Sequence, residues 1–285
     1  YMTGNGRSPY TLGCFGAPGS YSDAAMRRHF NDVDRVMYYD HFEDLVRAVA
    51  SGERTYGVLP VENSSTGGIA EVYDLVWRYE CRLVGEEYVR VQHQLLGLKE
   101  AALSDIEEVY SHPQGFAQCY DFLRKHPEWR LHTYFSTAQS AGEVAAKRSK
   151  TAAAIAGKQA AELYGLKILV PDIAANKTNY TRFIIISAAD CAAVRKDKLT
   201  VVVITEHVPG ALYHVLGHFF HRHMNMTHLE SRPIPGRPFE YSFHIDVTGS
   251  LDEVGTAEAV EELKRHCKYL KILGNYPSAK GGMVT

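Results

Sequence analysis

The stretch GVLPVENSSTGGIAEVYDLV, residues 57–76, decides the class of fold. Tyr56 to Val61 is a short apolar run bounded by turn-forming residues, which reads as a strand. Glu62 to Gly68 is a polar loop, and beyond it Ile69, Val72, Tyr73 and Val76 fall at helical spacing. Strand, polar loop and helix make the repeating unit of an α/β domain. The same unit recurs outward in both directions. Thr11 to Phe15 reads as a strand, followed by the loop Gly16-Ala17-Pro18-Gly19 and a helix from Ser20. Asp40-x-x-Glu43 is a capping box opening a helix that carries Phe42, Leu45, Val46 and Val49 on one face and stops at Gly52. On the other side, Val109 to Ser111 ends a strand, and Pro113 suits the first turn of a helix carrying Phe116, Cys119, Tyr120 and Leu123. Ser136-x-x-Gln139 is a second capping box. Ala152 to Ala156 reads as a buried strand leading into a helix stopped at Gly165, and Phe183 to Ile186 as a final buried strand.

The composition turns polar and charged over Ala188 to Lys198, which reads as a linker. Beyond it the pattern is βαββαβ: strand 199–205, helix 210–222, strands near 226–233 and 239–247, helix 253–266 and strand 267–273. That is a ferredoxin-like arrangement. The expected domains are therefore 10–188, with a second lobe over about 86–170, and 198–275. A chain of 285 residues, 45% hydrophobic and 22% charged, fits two ordinary globular domains. The net charge of −2 gives no general attraction for nucleic acid or anionic membrane, so an anionic ligand needs a local pocket of donors. No apolar run is long enough to span a membrane, and Tyr1 to Gly13 lacks the pattern of a secretory signal. The five cysteines are scattered and odd in number, as expected for reduced thiols in a cytoplasmic protein.

Two strand-to-helix loops, Gly16 to Ser22 and Glu62 to Gly68, combine glycines with hydroxyl residues ahead of a helix. Free amides there, aided by the helix dipole, favour anions; plain helix capping is the other reading, and the residues alone leave both open. Neither has the spacing of a Walker loop or a dinucleotide fingerprint. Thr181-Arg182-Phe183 enters the last buried strand, where an arginine needs a carboxylate of protein or ligand. In a regular strand Thr181 and Arg182 point to opposite faces, so for both to serve one pocket they must sit at an irregular strand mouth. Ser111-His112-Pro113-Gln114 sits at a further junction, with His112 either a cap or an acid–base group. His214, His218 and His221 share one helical face opposite Leu212, Val215, Leu216 and Phe219. With no fourth ligand evident, no metal and no organic cofactor are expected. Gly210-Ala211-Leu212 and Glu230-Ser231-Arg232-Pro233 are turns with polar groups suited to a small zwitterion.

Together these segments resemble the prephenate dehydratase family, from about Leu12 to Leu273. The resemblance is carried by GAPGSYSDAA (16–25), GVLPVENSSTGGIAEVYDLV (57–76), YSHPQGFAQC (110–119), STAQSA (136–141), AAIAGKQAAELYGL (153–166) and NYTRF (179–183), then GAL (210–212) and ESRP (230–233). It implies a two-lobed catalytic domain shaped like a type II periplasmic binding protein, followed by an ACT regulatory domain. The implied enzyme is a hydro-lyase converting prephenate to phenylpyruvate, water and carbon dioxide. Thr181 would be the donor to the departing hydroxyl, and Arg182 a carboxylate holder or a support. Asn63, Ser64, Ser111 and Gln114 would be further substrate contacts, with the amides near Ser20 as an anion cradle. Glu62 would orient its neighbours. It implies no cofactor, homo-oligomers (dimer or tetramer) through ACT and catalytic domains, and phenylalanine bound by Gly210, Ala211, Leu212, Glu230, Ser231, Arg232 and Pro233. In many relatives a chorismate mutase domain comes first; scarcely a dozen residues precede the first motif, so none is expected in this stretch. An arogenate dehydratase, a non-catalytic amino-acid sensor and a secreted solute-binding protein are the alternative readings.

Overall fold

The computed structural model describes residues 10–193, 195–234 and 236–279. Most of the stretch read for a secretory signal lies outside them. Along the chain come β1 (Leu12–Phe15), α1 (Tyr21–His29), β2 (Val36–Tyr39), α2 (Phe42–Ala50), β3 (Tyr56–Asn63), β4 (Gly67–Gly68), α3 (Ala70–Arg78) and β5 (Arg82–Arg90). Next are β6 (Gln94–Gly97), β7 (Glu108–Ser111), α4 (Pro113–Gln118), α5 (Tyr120–Leu123), β8 (Arg130–Thr133), α6 (Thr137–Lys147), β9 (Ala152–Ala156), α7 (Lys158–Tyr164), β10 (Lys167–Val170) and β11 (Tyr180–Ser187). The last group is β12 (Lys198–Ile204), α8 (Ala211–His221), β13 (Met226–Pro233), β14 (Tyr241–Thr248), α9 (Val254–His266) and β15 (Tyr269–Tyr276).

The chain divides into two compact units. One holds the described residues up to His41, Glu62–Gly67 and Tyr88–Phe183; the other holds Phe42–Val61, Gly68–Glu87 and the described residues from Ile184 onward. In the first unit β1 and β2 pair in parallel, and a five-stranded sheet runs β10-β6-β9-β7-β8. In that sheet β7 is parallel to β8 and β9, whereas β6 runs antiparallel to β9 and β10. Strand alternation explains how the sheet is sealed on both sides. Leu95, Val109, Ala153 and Ile155 face Cys119, Leu123 and Trp129. Leu96, Tyr110, Ala152, Ala154 and Ala156 face Ala141 and Val144 of α6 and Ala160 and Ala161 of α7. The alanines of β9 let both helix layers approach closely.

The second unit contains an antiparallel sheet of order β13-β14-β12-β15, covered on one face by α8 and α9, the ferredoxin-like arrangement expected. Leu199, Val201 and Val203 of β12 pack there on Val215, Phe219, Val260 and Leu263. The other face is also buried, and it is polar: Thr200 Oγ1 donates to Asp246 Oδ1 at 2.6 Å, and Lys198 Nζ reaches Glu86 Oε2 of β5 at 2.8 Å. A Cβ on Gly274 would stand 2.2 Å from the Leu83 carbonyl, so β15 meets β5 backbone to backbone. This unit therefore joins α2, α3 and part of β5 to the ferredoxin-like sheet.

Three sequence expectations shift. Strand β3 continues to Asn63, so Glu62 and Asn63 are strand residues rather than loop. Strand β11 begins at Tyr180, which puts Thr181 and Arg182 inside it and not at an irregular mouth. The helix expected over 113–123 is broken at Cys119, whose backbone leaves helical geometry while its side chain is fully buried.

The Glu86–Lys198 pair is buried at 2% and 6% exposure, whereas Lys158–Glu162 lies in solvent at 70% and 67%. Removing one partner of the first strands a buried charge. In denaturant unfolding, Glu86→Ala is expected to cost about 3–5 kcal/mol, and Glu162→Ala about 0.5 kcal/mol or less.

Candidate active site and effector region

Strand alternation sorts the site residues of the first unit. Asn63 and Glu62 end β3, and Thr181 and Arg182 begin β11. On one face the Asn63 amide Nδ2 donates to Thr181 Oγ1 at 2.9 Å and to Asn179 Oδ1 at 2.8 Å. On the other, Arg182 Nη1 lies 3.9 Å from Glu62 Oε2, with the arginine only 3% exposed. Arg182 is thus directed away from the Thr181 face, an arrangement that suits a support more than a direct holder. Asn63 Oδ1 in turn accepts from Ser65 N at 2.9 Å, Thr66 N at 3.1 Å and Thr66 Oγ1 at 3.3 Å. Ser64 ties the two segments together: its amide donates to Tyr180 O, its Oγ accepts from Tyr180 N, and the hydroxyl donates to Thr178 O. Because Thr181 Oγ1 already accepts from an amide, its own proton is left to point at another acceptor.

The remaining candidates sit at strand ends. Ser20 is the N-cap of α1, its Oγ accepting from Asp23 N at 3.2 Å. The first turn already holds an internal anion: Asp23 accepts from Gly19 N, Tyr38 Oη and Arg27 Nε. Ser111 is fully buried and donates to Ile155 O at 3.0 Å, which bridges β7 and β9. His112 caps α4, its Nδ1 accepting from Gln114 N at 3.1 Å, and Gln114 is exposed. A cavity of about 800 Å3 is walled by Phe15, Asp40, His112, Pro113, Thr133, Tyr134 and Phe135. These residues lie at or just beyond the carboxyl ends of β1, β2, β7 and β8, where open α/β sheets bind ligands. Neither Ser20 nor Gln114 lines the cavity, which takes in Phe15 ahead of the first loop and His112 and Pro113 at the second junction, and the Asn63–Thr181 cluster is not part of it.

Sequence reasoning passed over a buried chain beside these junctions. Tyr21, the first residue of α1, donates from its hydroxyl to Gln92 O at 2.9 Å and lies 3.2 Å from His93 Nδ1. His93 Nε2 is 2.6 Å from Gln118 Oε1. Burial raises the Tyr21 pKa well above the phenolic range; burial also lowers that of His93, partly opposed by the Gln118 bond. Asn179 of the NYTRF segment is a further such residue, brought by the fold to accept from the Asn63 amide.

In the second unit, β13 alternates too. Glu230 and Arg232 turn inward while Ser231 and Pro233 are exposed. Arg232 Nε and Nη2 both donate to Asp74 Oδ2 of α3, at 3.1 and 2.9 Å. His244, 1% exposed, lies 3.5 Å from Asp74 Oδ1. Burial acts to raise the Asp74 pKa, but His244 and Arg232 outweigh it and hold the carboxyl below its usual range. Tyr73 stacks against His228 at 5.5 Å, and a Cβ on Gly68 would stand 2.5 Å from Glu230 Oε2. Gly210 begins α8 with φ of 84°, a left-handed cap that glycine adopts without strain, and Leu212 packs on the sheet core. Of the three α8 histidines, His218 lies 3.7 Å from Glu262 of α9, while His214 and His221 are exposed. Among the described residues no cluster of His, Cys, Asp and Glu has metal-holding geometry.

A family model, Prephenate dehydratase, matches residues 12–191. The chain belongs to the prephenate dehydratase family. It is 37% identical over 269 residues to the bifunctional chorismate mutase/prephenate dehydratase of Enterobacter agglomerans, which covers 92% of this chain and 69% of that protein. A solved prephenate dehydratase from Arthrobacter aurescens, in complex with L-Phe, superposes with a TM-score of 0.83 at 30% identity, covering 94% of this chain and 90% of that one. A structure named GqqA, a novel type of quorum quenching acylase, gives a TM-score of 0.85, also at 30% identity, covering 95% and 98%. These likenesses extend beyond the matched family segment into the ferredoxin-like part.

The His93 shift predicts a pH effect. Its folded pKa lies below the ordinary value near 6.5, so below about pH 6.5 the unfolded chain takes up a proton that the folded one does not. Stability should therefore fall as the pH drops below about 6.5, by at most about 1.4 kcal/mol per pH unit from this group. Urea unfolding of the wild type and His93→Gln at both pH 7.5 and 5.5 checks this: the steeper acid loss belongs to the wild type.

Proposed function

We propose that the chain catalyses the decarboxylative dehydration of prephenate to phenylpyruvate. The carboxylate-bearing ring C–C bond breaks, its electron pair enters the ring, and the C–O bond to the ring hydroxyl breaks on the far side. Prephenate dianion plus one proton gives phenylpyruvate anion, carbon dioxide and water. Aromatisation supplies the driving force, so the protein needs to orient the dianion and assist departure of the hydroxyl. The observation that carries this reading is the Asn63 amide donating to Thr181 Oγ1. It makes Thr181 a directed donor to the departing oxygen, with the proton relayed from water, since a threonine hydroxyl is a weak acid. Arg182 and Glu62 support the strand pair from the opposite face. Ser20, Ser64, Ser111 and Gln114 contribute through the junctions they hold. Acyl transfer would need a nucleophile beside a base. Thr181 Oγ1 instead meets an amide donor and Ser111 Oγ a carbonyl, so the geometry favours elimination.

The ferredoxin-like part is read as an ACT domain binding phenylalanine at Gly210–Leu212 and Glu230–Pro233 between copies of the chain, in a homo-oligomer. The inward turn of Arg232 onto Asp74 of α3, the helix following the Asn63 loop, and of Glu230 onto Gly68 supports a route from effector to active site. The five unpaired cysteines support a reducing, cytoplasmic setting. Among the described residues no helix is long and apolar enough to cross a membrane.

With prephenate as substrate and phenylpyruvate formation as readout, Thr181→Val is expected to lower kcat/KM by about 10²–10³, and Glu62→Gln by no more than roughly tenfold. The reverse order would exchange the two roles, and faster turnover of arogenate would change the substrate. Truncation at residue 198 would bare the buried Glu86 and the β5 backbone, so Asp74→Asn is the cleaner probe of regulation. Phenylalanine should still bind, by calorimetry, while its effect on turnover falls by at least about threefold. An undiminished effect rules out this route.

A further inference from the structure

His93 takes no part in the elimination as described, yet it is 3% exposed and bonded at both ring nitrogens. It lies between β5 and β6, where the chain crosses to the five-stranded sheet. Its partners stand at the two junctions that flank the cavity. Tyr21 follows Ser20 at the start of α1, and Gln118 ends α4, the helix capped by His112 and carrying Gln114. The Tyr21 ring also rests on Gly157, the N-cap of α7: a Cβ there would come within 3.2 Å of it. A Cβ on Gly19 would stand 3.2 Å from Ala160 Cα, so the α1 loop is seated directly on α7. The main chain closes the same knot, with Ile173 N donating to His93 O and Ala175 N to Gln118 O.

Nε2 donates to the Gln118 carbonyl oxygen at 2.6 Å, and Nδ1, 3.2 Å from the Tyr21 oxygen, shares with Gln92 O the single proton of that hydroxyl. Both ring partners are neutral. A single uncharged tautomer held at both ends is a stiff spacer between α1 and α4. Its removal leaves Gln118 to seek a new partner, while Tyr21 keeps only its bond to Gln92 O.

We infer that His93 is a positioning residue for the dehydration: through Tyr21 and Gln118 it sets the separation of the α1 and α4 junctions that receive the dianion. It does not touch the substrate. The inference rests on the proposed prephenate turnover, so the wild type is assayed first; no turnover there defeats the functional reading and this one with it.

Given turnover, Tyr21→Phe, Gln118→Leu and the double variant are compared for KM, kcat and Tm. Misplaced anion donors weaken ground-state binding, so each single change should raise KM about five- to tenfold with kcat within about threefold. Tyr21→Phe also loses the bond to Gln92 O, but the part of each effect that passes through the imidazole is shared, so the double variant should fall well short of the product of the two effects. His93→Leu should match the double variant, and His93→Gln, whose amide can still reach Gln118, should recover part of the loss. The inference is overturned if KM stays within about twofold in the single variants whatever happens to Tm, or if their effects multiply. Should His93→Leu fail to fold, the Tyr21 and Gln118 variants decide alone, since both keep the imidazole.

Discussion

The side-chain amide of Asn63 is the interaction on which the geometry of the β3–β11 strand ends depends. Its nitrogen donates to Asn179 and Thr181, and its oxygen accepts from Ser65 and Thr66. With donors and acceptor both engaged, the group has one orientation, and that orientation passes to whatever it bonds. Thr181 inherits a fixed oxygen and a hydrogen that must point away from Asn63. A hydroxyl on a β-branched side chain adds its own stiffness at χ1. The β3–β11 alternation does the rest, giving Asn63 and Thr181 one face and Glu62 and Arg182 the other. An ion pair behind the strands and a hydrogen-bond donor in front of them are two consequences of one register.

The same rule governs β13. Arg232 faces Asp74 of α3 and Glu230 faces Gly68 while Ser231 and Pro233 are exposed, so a four-residue motif serves two surfaces. The polar, buried underside of the ferredoxin-like sheet makes this possible. Lys198, Thr200, His244 and Asp246 would be costly beneath an apolar layer; here Lys198 pairs with Glu86, Thr200 bonds Asp246 and Tyr276, and His244 lies 3.5 Å from Asp74. A sheet with one apolar and one polar buried face cannot be lifted from its neighbours without stranding charges. That explains why α2, α3 and much of β5 belong to the same compact unit as the four-stranded sheet.

Much of this could be read from the sequence, because it follows from local rules. Ser20 and Ser136 cap helices as their spacing requires, Gly165 ends α7 with a left-handed residue, and the βαββαβ order is written in alternating periods of two and 3.6. What was not legible depends on which strands become neighbours. Asn179 and Asn63 are 116 residues apart, and no spacing rule links them. Tyr21, His93 and Gln118 each look unremarkable alone: a helix start, a histidine in a crossover and a helix end. The start of β11 is hidden in the sequence because Tyr180-Thr181-Arg182 lacks the apolar run that marks a strand, although Thr181 and Arg182 are buried in it.

The chemistry asks for little acid–base power, and the protein offers little. Thr181 Oγ1 is bonded by the neutral Asn63 amide, which is itself held by Asn179, Ser65 and Thr66. Such groups are poor proton sources in isolation, but they undergo little reorganisation when charge moves in the substrate. A substrate that becomes aromatic on losing two small molecules carries its own thermodynamic drive. The remaining task is to keep the dianion oriented while the C–O bond lengthens, and for that a saturated hydrogen-bond network is better suited than a mobile, strongly perturbed acid.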